Sequence, residues 1–221
     1  MDGAMRNREI CVIPEGTEIS YRGGPPVVRT VCELTFHRPG LTLLAGRNGE
    51  GKSTFMRYLC GCQPQKPAAT AYRSAYLPEE LAFDNGLSAG QIAAACLGRA
   101  RKWFLAGAAL TGLDVAKAFG KLSKGNKQKT RNLLALALGR EMDAALICLD
   151  EAMSGLDYSV RRVFWTIIAE EAALRHVILS LHPDEIYSTP TQIITVRSGR
   201  ISLMPDPRAN WDGIEAWLEA A

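Results

Sequence analysis

The feature that most constrains this chain is one octapeptide, Gly46-Arg47-Asn48-Gly49-Glu50-Gly51-Lys52-Ser53, which fits the pattern GxxxxGK[ST]. It follows a short apolar run, Leu41–Ala45. It opens a segment with helical character, expected to run from Lys52 to about Cys60 and to end near Gly61. A strand, a glycine-rich turn and a helix in that order collect backbone N–H groups at a helix N-terminus, where they form a nest for phosphate oxygens. Lys52 would then reach the β- and γ-phosphates of a nucleotide, and the Ser53 hydroxyl would hold Mg²⁺. A glycine-rich turn with an exposed lysine is the plain alternative, and the strand-then-helix context disfavours it.

Around this unit the chain must build a core. Its 221 residues are 47% hydrophobic and 22% charged, which supports one substantial core, or one core with a small satellite lobe, rather than two full domains. The net charge of +3, from 26 Lys+Arg and 23 Asp+Glu, is too small for a chain whose main task is gripping nucleic acid. No stretch approaches the about 20 apolar residues of a membrane span. The first ten residues contain no apolar signal-like segment. The six cysteines, Cys11, Cys32, Cys60, Cys62, Cys96 and Cys148, form no CxxC pair, and the Cys60-x-Cys62 spacing suits no common zinc site. They are expected to be reduced and mostly buried, in a soluble intracellular protein.

Before residue 45 the chain reads as short strands, at Ile10–Ile13, Ile19–Arg22, Val27–Phe36 and Leu41–Ala45, separated by Pro/Gly turns. Further strands are expected at Ala75–Leu77, Ala145–Leu149 and Val177–Leu181. Gln192–Val196 and Ile201–Leu203, joined through Ser198-Gly199, should form a hairpin. Helices are expected within 80–121 and from Asn126 to about Arg140. Another should span Tyr158–Leu174, where Val160, Val163, Phe164, Ile167 and Ile168 fall at helical spacing. The tail should form a helix with Trp211, Ile214, Trp217 and Leu218 on one side, packed on the domain. Strands alternating with helices argue for an α/β fold, with the 80–121 helices as a separate lobe.

Two further segments carry chemistry. In Leu146-Ile147-Cys148-Leu149-Asp150-Glu151 an apolar strand ends in two acids. Beside a phosphate loop, Asp150 suits a Mg²⁺-side role and Glu151 suits a general base for attacking water. Alone this pattern is weak, because many strands end in acids. In Leu122-Ser123-Lys124-Gly125-Asn126 a Ser and a Gly precede a helix start, a second anion nest. One mononucleotide needs only one nest, so a second suggests that two subunits each supply half a site. Residues 121–131 hold five basic side chains and no acid. A guanine-reading NKxD motif is excluded at Asn126-Lys127-Gln128-Lys129, because Lys129 stands in place of the acid.

Taken in order, these motifs resemble those of the nucleotide-binding subunits of the ABC (ATP-binding cassette) transporter family. Gly46–Ser53 matches the Walker A loop, Leu122–Asn126 the signature (LSGGQ elsewhere, LSKGN here), and Leu149-Asp150-Glu151 Walker B. Ser154-Gly155-Leu156-Asp157 matches the D-loop, and Leu181-His182 the switch histidine. The resemblance covers residues 46–182. It implies one ABC ATP-binding domain over 1–221: a P-loop NTPase core with a mostly parallel sheet, an N-terminal antiparallel β layer and a helical lobe at about 80–122. It also implies an ATPase with ATP and Mg²⁺ as ligands. Asn48, Gly49, Glu50, Gly51, Lys52, Ser53 and Thr54 would hold the nucleotide, and Tyr21 would stack on adenine. Ser53, Asp150 and Glu79 would meet Mg²⁺. Glu151, His182 and Lys52 would be catalytic, and Asp157 would link the two sites. Ser123, Gly125 and Asn126 would meet the ATP of the partner subunit.

The resemblance further implies a second ATP-binding subunit, identical or homologous, and an integral membrane permease on another chain. It places the protein peripherally on the cytoplasmic face, with no direct nucleic-acid partner. The LSKG form and short chain resemble ABC-2-type exporters. Four departures stand out. Glu79 occupies the position of the usual Q-loop Gln, Ala152 follows Walker B in place of the frequent Pro, the 61–79 connector reads as shorter than usual, and the interval from Ser123 to Asp150 reads as longer. Glu79 motivates one other reading, a nucleotide-gated regulatory module with weak hydrolysis. Another is a soluble ABC ATPase acting on nucleic acid or the ribosome.

Overall fold

The computed structural model describes residues 8–21, 24–63, 72–181 and 189–220. In chain order the elements are β1 (Arg8–Ile13), β2 (Glu18–Ser20), β3 (Pro26–Thr30), β4 (Leu34–Arg38), β5 (Gly40–Ala45), α1 (Lys52–Leu59) and β6 (Ser74–Leu77). Next come α2 (Ala89–Cys96), α3 (Arg101–Leu110), a 3₁₀ turn at Phe119–Lys121, and α4 (Lys124–Glu141). The remainder is β7 (Leu146–Leu149), α5 (Tyr158–Ala172), β8 (His176–Leu181), β9 (Gln192–Arg197), β10 (Arg200–Leu203) and α6 (Trp211–Ala220).

Eight strands form one mixed sheet in the order β2-β3-β10-β9-β5-β8-β7-β6, and β1 and β4 pair as a separate antiparallel ribbon. The central pairs β9–β5–β8–β7–β6 are all parallel. Every residue of β5 and β7 is buried, as expected for parallel strands covered on both faces.

Alternation along the strands builds two cores. Leu43, Ile147 and Ile193 face the core that contains α4, α5 and α6 residues. Their neighbours Leu44, Cys148 and Ile194 face the opposite core, with Phe55 and Met56 of α1 and Phe36 of β4. Each such fully buried side chain contributes about 1.5–3 kcal/mol. On α5, Val160, Phe164, Ile167 and Ile168 form the buried stripe, as their spacing predicts. The end of α4 is tied to the edge of this layer by an ionic cluster. Glu171 of α5, itself fully buried, pairs with Arg140 and with Arg175 (2.9 Å to the latter).

Two expectations need correction. Val27–Phe36 is not one strand. It breaks at residues 31–33, because β3 joins the main sheet beside β10 while β4 crosses over to pair with β1. The N-terminal antiparallel pairing is present, as β1 with β4 and β2 with β3. The cysteines are free, but only Cys11 and Cys148 are buried; Cys32 and Cys60 are half-buried, and Cys62 and Cys96 are exposed. The expected hairpin is present, with Ser198 and Gly199 both at positive φ (47° and 73°), the type I′ geometry of a two-residue turn. The tail helix α6 forms, and Trp211, Trp217 and Leu218 lie against the core. No helix among the described residues is long and apolar enough to cross a membrane.

Candidate functional site

The C-terminal end of β5 delivers the chain into the phosphate loop. Gly51 stands just before α1 with φ 105°, and a Cβ there would lie 2.3 Å from Val28 Cγ1. Only glycine fits both the left-handed backbone and that gap. No side chain caps α1 and its first turn carries no acid. Its first N–H groups therefore have no intrahelical partner and stand open to an anion.

Lys52 is buried, and its Nζ donates to the carbonyl oxygens of Gly46 (2.7 Å) and Arg47 (3.1 Å). Burial pulls its ammonium below the usual lysine range, while Glu151, Asp150, Glu79 and Glu50 push the other way. The sheet thus gathers around one lysine the acids that the sequence places up to about a hundred residues away. Asn48 and Gly49 are exposed; Glu50 and Ser53 are half-buried, and Thr54 is buried.

Asp150 is buried at the end of β7 and both its oxygens are engaged. Ser180 Oγ donates to Oδ1 (2.8 Å) and the Tyr76 hydroxyl to Oδ2 (3.1 Å). Burial, and then the neighbouring Asp150 charge, push the Tyr76 phenol up, so it stays a donor. Ser180 Oγ in turn accepts from the Glu151 N–H (2.7 Å). Glu151 holds a left-handed backbone (φ 50°), rare for a non-glycine residue.

Tyr76 and Ser180 escaped the sequence reading. Their signals were a tyrosine three residues before Glu79 and a single hydroxyl in the apolar run of β8. Asn132 and Gln128, buried polar residues of α4, also escaped it. Gln128 donates to Asn132 (3.0 Å), and Asn132 donates to the Ala152 carbonyl (2.6 Å), pinning the loop after Asp150.

At the start of α4, Ser123 Oγ accepts from the Asn126 N–H (3.3 Å) as the helix cap. Gly125 lies against the Gly155 carbonyl, which a Cβ would meet at 3.0 Å. Leu122–Asn126 and Ser154–Asp157 are thus in direct contact within one chain. Asp157 caps α5, accepting from the Val160 N–H and the Ser159 hydroxyl (2.9 Å each), which hold its carboxyl below its usual range. Tyr21 directly follows β2 and is 47% exposed. Glu79 is exposed just beyond β6. His182 lies outside the described residues.

The donor set fits Mg²⁺. The ion takes hard oxygen ligands, commonly one or two carboxylates together with substrate phosphates. Asp150 and Ser53 are oxygen donors of that kind, and Lys52 senses the Asp150 charge from the phosphate loop.

The chain is similar to proteins whose names agree on one activity. It is 30% identical to the zinc import ATP-binding protein ZnuC of Chelativorans sp. (strain BNC1), over 92% of this chain and 74% of that protein. It is 29% identical to the aliphatic sulfonates import ATP-binding protein SsuB 3 of Paraburkholderia xenovorans (strain LB400), over 90% and 85% respectively. A solved structure described as the ATP-binding subunit of an ABC transporter superposes with a TM-score of 0.73. It covers 95% of this chain and 99% of that one at 21% identity, a likeness of fold. No family model matches the chain.

Proposed function

The chain belongs to the ATP-binding subunits of ABC transporters, which are ATPases, and from that premise we propose that it hydrolyses ATP to power a permease carried on another polypeptide. The observation that carries this reading is the buried Lys52 folded onto the glycine-rich loop, with Asp150 and the Glu151 backbone fixed through Ser180 at the end of the nearby β7. Such a site can bind a polyphosphate and present a carboxylate to water.

In the proposed reaction, the nest before α1 and Lys52 hold the phosphates of ATP, with Asn48, Gly49, Glu50, Gly51, Ser53 and Thr54 forming the cradle. Tyr21, exposed at the end of β2, stacks on the adenine. Ser53 and Asp150, with Glu79, hold Mg²⁺, which when bound neutralises charge on the phosphate oxygens. Glu151 accepts a proton from the attacking water, and its backbone is fixed for this by Ser180. His182 meets the transferred phosphoryl group.

The chain carries one phosphate loop and one LSKGN segment. We therefore place Ser123, Gly125 and Asn126 against ATP bound by a second subunit, with Asp157 linking the two sites. The whole chain acts as one ATP-binding domain, and its 80–122 lobe, with Glu79, faces the permease on the cytoplasmic side of the membrane. The relatives' names favour import over the exporter direction expected from the LSKG form.

Glu151→Gln tests this. It should retain ATP binding, lower phosphate release by about 10²–10⁴-fold, and accumulate an ATP-bound dimer in light scattering. Wild-type hydrolysis by Glu151→Gln would falsify the assigned base.

A further inference from the structure

Buried polar side chains on α4 join the segment beyond Glu79 to the loop of Glu151. Asn132 is fully buried and Gln128 nearly so, on a helix that otherwise fills the core with Leu133, Leu134 and Leu136. Burying two amides there carries a desolvation cost that leucine would avoid, and only hydrogen-bond partners offset it. The partners form one directed chain. Arg131 Nε donates to the Leu81 carbonyl (2.7 Å), two residues past Glu79, and Arg131 Nη1 donates to Gln128 Oε1 (3.4 Å). Gln128 Nε2 donates to Asn132 Oδ1 (3.0 Å), and Asn132 Nδ2 donates to the Ala152 carbonyl (2.6 Å). Both ends fix the direction. A guanidinium can only donate and a backbone carbonyl can only accept, so neither amide can turn over without breaking the chain.

The end at Ala152 bears on the chemistry. Glu151, one residue earlier, holds φ 50°, a conformation that is costly for a non-glycine residue and persists only where the surroundings enforce it. Two contacts do so here. Ser180 Oγ accepts the Glu151 N–H on one side (2.7 Å), and Asn132 holds the following carbonyl on the other.

On the reading of Glu151 as the base, we propose that Asn132 is a positioning residue for ATP hydrolysis: its bond to the Ala152 carbonyl keeps Glu151 aimed at the attacking water, and Gln128 and Arg131 make that aim depend on the place of the 79–81 segment. A base displaced by about 1 Å loses up to about a hundredfold in rate. The hold on the phosphates is untouched, because Lys52 and the loop before α1 supply it. Displacement of Leu81 draws Arg131 off Gln128, frees Asn132 to turn and slackens the loop of Glu151.

The test is phosphate release by the full chain, at steady state and in a single turnover, with circular dichroism to check folding. Asn132→Leu, which keeps the size and removes the donor, should lower kcat by about 10–100-fold and leave the KM for ATP within about twofold. Added to Glu151→Gln, it should change the residual rate by less than about twofold, because a residue that acts through Glu151 then has nothing left to aim. Arg131→Met, which keeps the stem of a half-buried side chain, should lower kcat by about three- to tenfold with KM again unchanged. Arg131→Lys, which can still reach one acceptor, should recover part of that loss. Native kcat in a folded Asn132→Leu protein, or an equal loss in the Glu151→Gln background, would overturn the proposal. Native kcat in Arg131→Met would overturn the dependence on the 79–81 segment, and it decides the question should Asn132→Leu fail to fold. Native hydrolysis by Glu151→Gln alone would instead overturn the assignment of the base, so the two failures are told apart.

Discussion

The starts of α1 and α4 are both glycine-containing helix N-termini with no acid in the first turn, yet they are built differently. At α1 no side chain caps the helix, and Lys52 is folded inward onto the loop's own carbonyls among four carboxylates. At α4 the Ser123 hydroxyl caps the helix, Lys124 is exposed, and the next glycine abuts the turn before α5. The first start is shaped by a buried lysine bound to its own loop. The second is shaped by a hydroxyl cap and by packing on the turn before α5.

The largest expected effect breaks the first nest. Lys52→Ala should lower ATP turnover by about a hundred- to a thousandfold, measured as phosphate release; near-native turnover would mean the loop does not hold the phosphates as argued.

The next effect separates the scaffolds. β5, which leads into the α1 loop, is bolted to β8 by a buried imidazole: His176 Nδ1–H donates to the His37 carbonyl, which leaves Nε2 to accept from the Thr42 hydroxyl (2.7 Å). Burial is the main cause that lowers its pKa, from 6.5 to about 4. Between those values the unfolded chain takes up a proton that the folded chain refuses. Stability is therefore full above pH 6.5 and falls as pH drops toward 4, by about 1.4 kcal/mol per pH unit. Urea unfolding at pH 7 and pH 5 measures this, and equal midpoints would exclude it. The α4 start has no such buried titrating anchor among the described residues.

The smallest effect concerns the second nest alone. Ser123→Ala removes a side-chain cap and should cost about 1 kcal/mol of stability, read as a shift in urea midpoint at constant slope. In Gly51, which caps α1 with backbone alone, there is no hydroxyl to remove, so the contrast is specific to α4.

Much of the site was legible in sequence because its chemistry is local. Gly46–Ser53, Leu149–Glu151 and Leu122–Asn126 are contiguous, and their residue types follow from what a phosphate, a metal and a helix start require. The two-residue turn at Ser198-Gly199 was legible for the same reason. The break within Val27–Phe36 was not, since nothing in that strand-prone run says that its halves join different sheets. Tyr76 and Ser180 were not legible either. Their partner Asp150 is reached through strand register, and register is set by long-range pairing.

The sequence by itself determined that this chain holds a glycine-rich loop between a buried strand and a helix, with two acids at the end of another strand, because those features are written over a few adjacent residues. Only the tertiary structure decided which hydroxyls fix Asp150. It alone showed that the start of α4 rests on the turn before Asp157. Those relations depend on side chains that alternate onto one face from strands far apart in sequence, and a face exists only once the sheet is assembled.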